Sequence, residues 1–198
     1  MLRILALLVV AGAASLGAQT AKVTLASGSS ITVEGTSNVH AWHLTTATFV
    51  SSIEIATPAA PTSEVRAVTL SIPVTSLKSG KGGLDKNTYK ALNAEKYPEI
   101  RFRLTSYKTE PSATGATAIV RGLLTVNGVE KEVSLTTAMS GDSRTGLKAT
   151  GTTSFLMTDF GVKPVTALMG AIRTGNEVTI RFALTGTVAE QIALLPRE

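Results

Sequence analysis

Apolar and polar residues alternate along most of the chain, with the two-residue period of strands that bury one face. The clearest case follows Pro98, where Ile100, Phe102 and Leu104 are separated by two arginines. Runs of this kind, bounded by turn residues, lie at 31–35, 41–56, 64–77, 100–108, 117–126, 129–139, 147–157 and 177–188. The run 41–56 is broken near Ser51-Ser52. The pattern predicts about eight strands and no alternation of strands with helices.

Turn residues suggest how these strands connect. Asn127-Gly128 stands between two alternating runs and predicts a hairpin with a type I′ turn. Gly175-Asn176 predicts a second tight turn, and the proline-rich segment 57–62 predicts a link between two strands. Because the strands are long and few turns interrupt them, we expect an all-β antiparallel barrel rather than a sandwich. An eight-stranded barrel is either filled by side chains or holds one slender ligand.

One segment, residues 84–96, carries a helix pattern. Asp85 is placed as its N-cap, and Leu84 and Tyr89 as a hydrophobic staple. Pro98 ends the helix before the next strand begins. Tyr89 and Leu92 share one helical face, so we expect this short helix to pack onto the opening of the barrel.

The N-terminus has the pattern of a signal peptide covering residues 1–18. Arg3 supplies the positive charge, residues 4–16 form an apolar stretch, and Leu16-Gly17-Ala18 precedes the expected cleavage. The apolar stretch is too short to cross a bilayer, which takes roughly 20 residues. We therefore predict no transmembrane segment, a domain of residues 19–198, and a periplasmic or secreted protein.

Composition excludes several classes of chemistry. The chain has no cysteine, which excludes thiol catalysis and metal sites built from cysteine. It has only two histidines, His40 and His43. In a strand that begins at His40 the two would face opposite sides, so we predict no metal site. The net charge of +5 comes from scattered residues, which does not suggest nucleic-acid binding. No nucleophile elbow, P-loop, zinc-protease or dinucleotide motif occurs, so we predict no enzyme and no cofactor. A Ser-His-Asp triad built from distant positions stays open as an alternative.

Several segments, in order, resemble the YceI family of secreted, lipocalin-like proteins. They are 35–42 (Gly-Thr-Ser leading to His-Ala-Trp), the helix and strand at 84–102, the hairpin at 122–131, the Asp-Phe-Gly turn at 158–162 and the closing strand at 177–180. The resemblance implies an extended antiparallel β-barrel with a helix near its opening. In some members of that family a long polyisoprenoid chain lies inside the barrel.

The residues expected to contact such a ligand are aromatic or large and apolar. Phe102, Phe155 and Phe182 have the parity to face inward, and small residues on the face that includes Gly151 leave volume unfilled. The full set of predicted ligand-binding residues is Trp42, Tyr89, Leu92, Phe102, Phe155, Met157, Phe160 and Phe182. The predicted partner is an isoprenoid or another amphiphilic lipid, and a homodimer is left open. Core packing explains the phenylalanines equally well, so a filled barrel with a structural or interaction role in the cell envelope is the alternative.

Overall fold

A computed structural model describes residues 20–56, 64–142 and 145–188, with only the backbone of Ala167 and Leu168. The strands are β1 (Thr20–Leu25), β2 (Ser30–Ser37), β3 (Trp42–Thr46), β4 (Val50–Ala56), β5 (Val65–Pro73), β6 (Glu99–Ser112), β7 (Gly115–Val126), β8 (Val129–Asp142), β9 (Gly146–Leu156), β10 (Thr166–Ala167) and β11 (Ile172–Val188). One α-helix, α1 (Gly82–Ala91), occurs in these ranges, with 3-10 turns at Val74–Ser76, Met157–Phe160 and Leu168–Gly170. The predicted signal peptide and the proline-rich link at 57–62 lie outside the described residues.

Eight antiparallel strands close into a barrel, as predicted. The order is β1-β4-β5-β6-β7-β8-β9-β11, and β11 returns to β1 with Val188 opposite Val23. The strand β2 pairs with the first part of β11, ahead of the part that pairs with β1. The β2–β3 hairpin therefore continues the barrel wall beyond the ends of β1 and β4. On its other side β3 meets the chain after β5 through an isolated bridge between Thr45 and Lys78. No described helix is long and apolar enough to cross a membrane.

The run 41–56 breaks at a different place from the one predicted. The run 41–56 divides at residues 47–49, between β3 and β4, and not at Ser51-Ser52. Ser51 and Ser52 lie inside β4, paired with Leu70 and Thr69. The strand β1, just after the predicted signal peptide, was not anticipated, and it is the strand that closes the barrel.

The predicted tight turn at Gly175-Asn176 is wrong. Both residues lie within β11, where the pairing with β2 shifts register between Thr174 and Val178. The side chain of Asn176 holds this irregularity, since its Nδ2 donates to Thr158 Oγ1 at 2.9 Å and its Oδ1 accepts from Thr158 N at 3.1 Å. A glycine in a strand pattern can mark a bulge within one strand as well as a turn between two strands.

The helix begins and ends earlier than predicted. It starts at Gly82 and ends at Ala91, with Lys81 at the N-cap and no side-chain cap. Asp85 is therefore not the N-cap, and the proposed staple of Leu84 and Tyr89 is wrong with it. Asp85 lies in the first turn and accepts from Ser79, at 2.8 Å from the backbone N and 2.6 Å from Oγ. Its negative charge still lies at the positive end of the helix dipole, where it is favourable.

Two turns position the rest of the barrel's helical end. Asn127 and Gly128 have φ of 51° and 75°, which confirms the type I′ hairpin. Gly161, with φ of 66°, ends the turn Met157–Phe160. Asn127 Nδ2 donates to Phe160 O at 3.3 Å and so ties the hairpin to this turn.

Candidate functional site

An apolar cavity of about 620 Å³ lies inside the barrel. Its wall includes residues of every barrel strand, of α1 and of the loop after Phe160. On β9 alone the lining residues run from Leu147 to Phe155. At about 3.3 Å per residue and a strand tilt of about 40°, they span roughly 20 Å along the barrel axis. The cavity is therefore elongated, and its volume lies within the range of small-molecule sites, roughly 300–1,000 Å³.

The lining is aliphatic and aromatic over most of its length. Valine, leucine, isoleucine and phenylalanine supply most of the wall between the ends, for example Val33, Leu70, Leu135 and Ile180. Its charged members are the two cations Lys81 and Lys148, which lie toward opposite ends, and no carboxylate residue is among the described lining residues. Such a wall binds apolar groups by burial and offers few groups for acid–base chemistry.

The largest aromatic rings lie against glycines of the barrel wall. Trp42 lies over Gly35, its cross-strand partner on β2, so closely that a Cβ on Gly35 would overlap the indole. Phe182 lies over its partner Gly151, where a Cβ would come within 2.5 Å of the ring. A ring that covers a glycine occupies the space of the missing side chain instead of the barrel axis. These pairs help to keep the interior open.

Phe102 repeats the arrangement on the neighbouring strands. Its ring covers Gly122 on β7, where any added Cβ would overlap it. The pairing is diagonal, since Gly122 stands opposite Leu104 in the register of β6 and β7. These three aromatic–glycine pairs each join adjacent strands, so they also strengthen the sheet locally.

A hydrophobic cluster lies beneath the C-terminal end of the helix. Phe160, 1% exposed, packs with Val126 and Val162, and Leu92 of the helix end packs against this cluster. Phe155 meets Phe160 edge-on, with ring centroids 4.8 Å apart. A second cluster of Ala21, Val23 and Ile55 lies toward the other end. The cavity lies between and alongside these two clusters.

The sequence matches the family model for the YceI-like domain over residues 18–186. The chain belongs to the YceI-like family. None of the curated proteins matches it significantly in sequence.

Solved structures agree with this assignment at the level of the fold. BcnA of Burkholderia cenocepacia is similar with a TM-score of 0.61 and 20% identity, over 82% of this chain and 96% of that one. A YceI protein of Campylobacter jejuni has a TM-score of 0.56 and 16% identity, over 74% of this chain and 84% of that one. A polyisoprenoid-binding domain of Saccharophagus degradans, implicated in plant cell wall breakdown, has a TM-score of 0.63 and 11% identity, over 85% of this chain and 98% of that one.

Within this YceI-like barrel, seven of the eight predicted ligand-binding residues line the cavity. They are Trp42, Leu92, Phe102, Phe155, Met157, Phe160 and Phe182. Their contact with a ligand stays a prediction. The prediction left out the aliphatic residues of the wall. They occupy inward-facing strand positions by the same alternation that placed the phenylalanines there.

Tyr89 is the exception, because it is not among the lining residues. Its hydroxyl lies 2.8 Å from Leu77 O and 3.0 Å from Thr75 O, and accepts from Lys78 Nζ at 2.8 Å. This bond to Tyr89 raises the pKa of the Lys78 ammonium. Tyr89 therefore fastens α1 to the chain after β5 instead of facing the lumen.

The two histidines differ in position. His40 is an exposed lining residue of the cavity with its Nδ1 2.9 Å from Ala41 O, whereas His43 lies outside the lining. Trp42 Nε1 donates to Thr36 O at 3.0 Å, which fixes the indole beside His40. Among the described residues no three histidine or acidic side chains group closely enough to hold a metal ion.

Proposed function

We propose that this protein binds an amphiphilic long-chain lipid in the barrel interior and sequesters or carries it. The observation that carries the proposal is the elongated apolar cavity, whose aromatic rings lie over Gly35, Gly122 and Gly151 instead of meeting at the axis. Burial of apolar surface is worth roughly 25 cal/mol per Å² before the costs of association. A chain-like apolar ligand makes the best use of such a wall.

The distribution of polar residues favours an amphiphile over a plain hydrocarbon. His40, Lys81 and Asn87 are exposed lining residues near α1, while the wall between the ends is apolar. A polar head group at this end would stay in contact with water and with these side chains. The tail would then lie along the aliphatic wall.

A polyisoprenoid is the ligand class we favour. The support is the shared fold with the polyisoprenoid-binding domain of Saccharophagus degradans, which covers nearly all of that domain. The N-terminal pattern at 1–18 adds a proposed location, the periplasm or the extracellular space. The role we propose is binding without catalysis.

The filled-barrel alternative makes a different prediction for the interior. It requires Phe102, Phe155 and Phe182 to meet at the barrel centre without a continuous tunnel. The rings of Phe102 and Phe182 instead lie on the wall over glycines, and Phe155 packs on Phe160. This arrangement favours the lipid-binding role.

The test is native mass spectrometry of the mature protein after expression in a bacterium, followed by extraction and identification of any bound lipid. A matched pair of substitutions locates the site. Ala149→Phe adds a ring at a lining position, whereas Ala183→Phe adds the same ring on the exposed outer face. We expect lipid on the parent and on Ala183→Phe, and much less on Ala149→Phe. Parent protein that repeatedly emerges without lipid, or equal lipid on all three, would count against the proposal.

A further inference from the structure

Two loops beside the helical end of the cavity expose large apolar side chains. Val39 is 61% exposed, and the Met169 side chain is fully exposed. Val39 lies between the lining residues Ser37 and His40, and Met169 lies between the lining residues Val165 and Ile172. We call Val39 and Met169 together the apolar tip.

The two loops are bonded to each other, which fixes the apolar tip relative to the cavity. Asn38 Nδ2 donates to Ala171 O at 2.9 Å, and Arg173 N donates to Asn38 Oδ1 at 2.8 Å. Asn38 N also donates to Arg173 O at 3.0 Å. One asparagine side chain thus joins the loop that carries Val39 to the loop that carries Met169.

Met169 is held outward by an uncommon backbone conformation. Its φ of 53° and ψ of 32° lie in the left-handed region. The other described non-glycine residues with positive φ are Asn93 and Asn127, a type that tolerates this region. For methionine the conformation costs stability, and such costs persist mostly at functional positions. A strained residue that presents an apolar side chain to water suggests a surface built for a partner.

Basic residues outnumber acidic ones in the loops at the same end of the barrel. These loops, residues 36–41, 74–98, 127–128 and 157–174, contain seven cations and three carboxylates. The cations are Lys78, Lys81, Lys86, Lys90, Lys96, Lys163 and Arg173. Of the carboxylates, Asp85 accepts hydrogen bonds from Ser79, and Asp159 accepts one from Leu156 N. We call these seven cations the basic rim.

We propose that the helical end of the barrel docks on an anionic lipid bilayer, with the apolar tip entering the interface and the basic rim facing the head groups. Apolar side chains that enter the interface and cations that meet anionic lipids act together in peripheral membrane binding. A second copy of this chain fits less well, because two basic rims would repel each other. The proposal goes beyond lipid carriage and does not depend on which ligand the cavity takes.

The test is co-sedimentation of the mature protein with sucrose-loaded vesicles of phosphatidylcholine, with or without phosphatidylglycerol. We expect binding to the vesicles that contain phosphatidylglycerol, weakened by salt because screening shortens the reach of charges. The double variant Val39→Ser/Met169→Ser should bind about tenfold more weakly, since it loses the buried apolar area.

The control is Ile119→Ser, at an apolar residue 53% exposed on β7. Ile119 lies seven residues from Val126 at the helical end of β7, which is roughly 23 Å along the strand. This variant should bind vesicles as the parent does.

Three results would overturn the proposal. The first is no binding of the parent to anionic vesicles, and the second is equal binding by the parent and the tip variant. The third is a concentration-dependent dimer of the parent that the tip variant loses, which would assign the apolar tip to a second copy. The tip variant should still co-purify with the same lipid as the parent. Docking and lipid carriage can therefore fail separately.

Discussion

Phe182 covers Gly151 across the β11–β9 ladder, so closely that a Cβ at position 151 would lie 2.5 Å from the ring's Cζ. The same Cβ would lie 2.5 Å from Thr136 O. The glycine lets a large ring lie flat on the wall of the barrel. Two further pairs, Phe102 on Gly122 and Trp42 on Gly35, do the same elsewhere.

Gly151→Ala is expected to destabilise the protein, because the new methyl group meets both the Phe182 ring and the backbone of β8. Phe182→Ala alone should lower the free energy of unfolding by about 2 kcal/mol, since the ring is half-buried against a cavity. In the double variant Gly151→Ala/Phe182→Ala, the new methyl group no longer overlaps the ring and meets only Thr136 O. Denaturant unfolding of the four proteins should therefore give a combined loss smaller than the sum. Additive losses would contradict the contact.

Leu92→Ala should reduce stability and retention of lipid together. Leu92 is half-buried, lines the cavity and packs on the cluster around Phe160. We expect a loss of about 1–3 kcal/mol in the free energy of unfolding, less than for a fully buried leucine. Release of a bound fluorescent fatty chain, measured where both proteins stay folded, should be faster for the variant. Equal release rates would show that the helix end does not limit access.

Tyr89→Phe separates fastening of the helix from contact with the ligand. The substitution removes the hydroxyl that bonds to Leu77 O, Thr75 O and Lys78 Nζ. We expect thermal unfolding to report a loss of about 1–2 kcal/mol. Lipid content should stay at the parent's level, because Tyr89 does not line the cavity. Loss of lipid at unchanged stability would place Tyr89 in the binding site after all.

The loop before α1 should be sensitive to acid. Hydrogen bonds from the Ser79 hydroxyl and then from its backbone amide hold the pKa of the Asp85 carboxyl below its usual range. A carboxyl group whose pKa is lower in the folded than in the unfolded protein stabilises the fold when the pH is above the unfolded-state pKa, about 3.9. This contribution disappears as the pH falls through the folded-state pKa. Asp85→Asn should therefore be less stable than the parent at neutral pH, and the difference should shrink below about pH 4. Urea unfolding of both proteins from pH 7 to pH 2 measures this difference in the free energy of unfolding. A difference that stays constant with pH would show that the Asp85 carboxylate does not stabilise the fold in this way.

The sequence predicted the barrel because alternation and turn chemistry are local. The type I′ turn at Asn127-Gly128 and the inward parity of Phe182 both follow from a few neighbouring residues. The start of α1 was missed because Gly82 and Gly83 are poor helix formers, and the bonds between Asp85 and Ser79 could not be seen.

The aromatic–glycine pairs could not be predicted for a different reason. Whether Phe182 faces Gly151 depends on the register of two strands that are distant in sequence, and alternation alone does not reveal register. The same limit hid the role of Gly175 as part of a bulge in β11. Tyr89 shares a helical face with Leu92, but only the position of α1 on the barrel shows that its hydroxyl bonds to the chain after β5.

A crystal structure of the lipid-loaded protein is the decisive experiment on whether the barrel interior is open and holds one apolar chain. We expect a single elongated stretch of density along the barrel axis, with the rings of Phe102 and Phe182 still lying over Gly122 and Gly151. Rings that turn inward to meet at the axis, with no density between them, would contradict it.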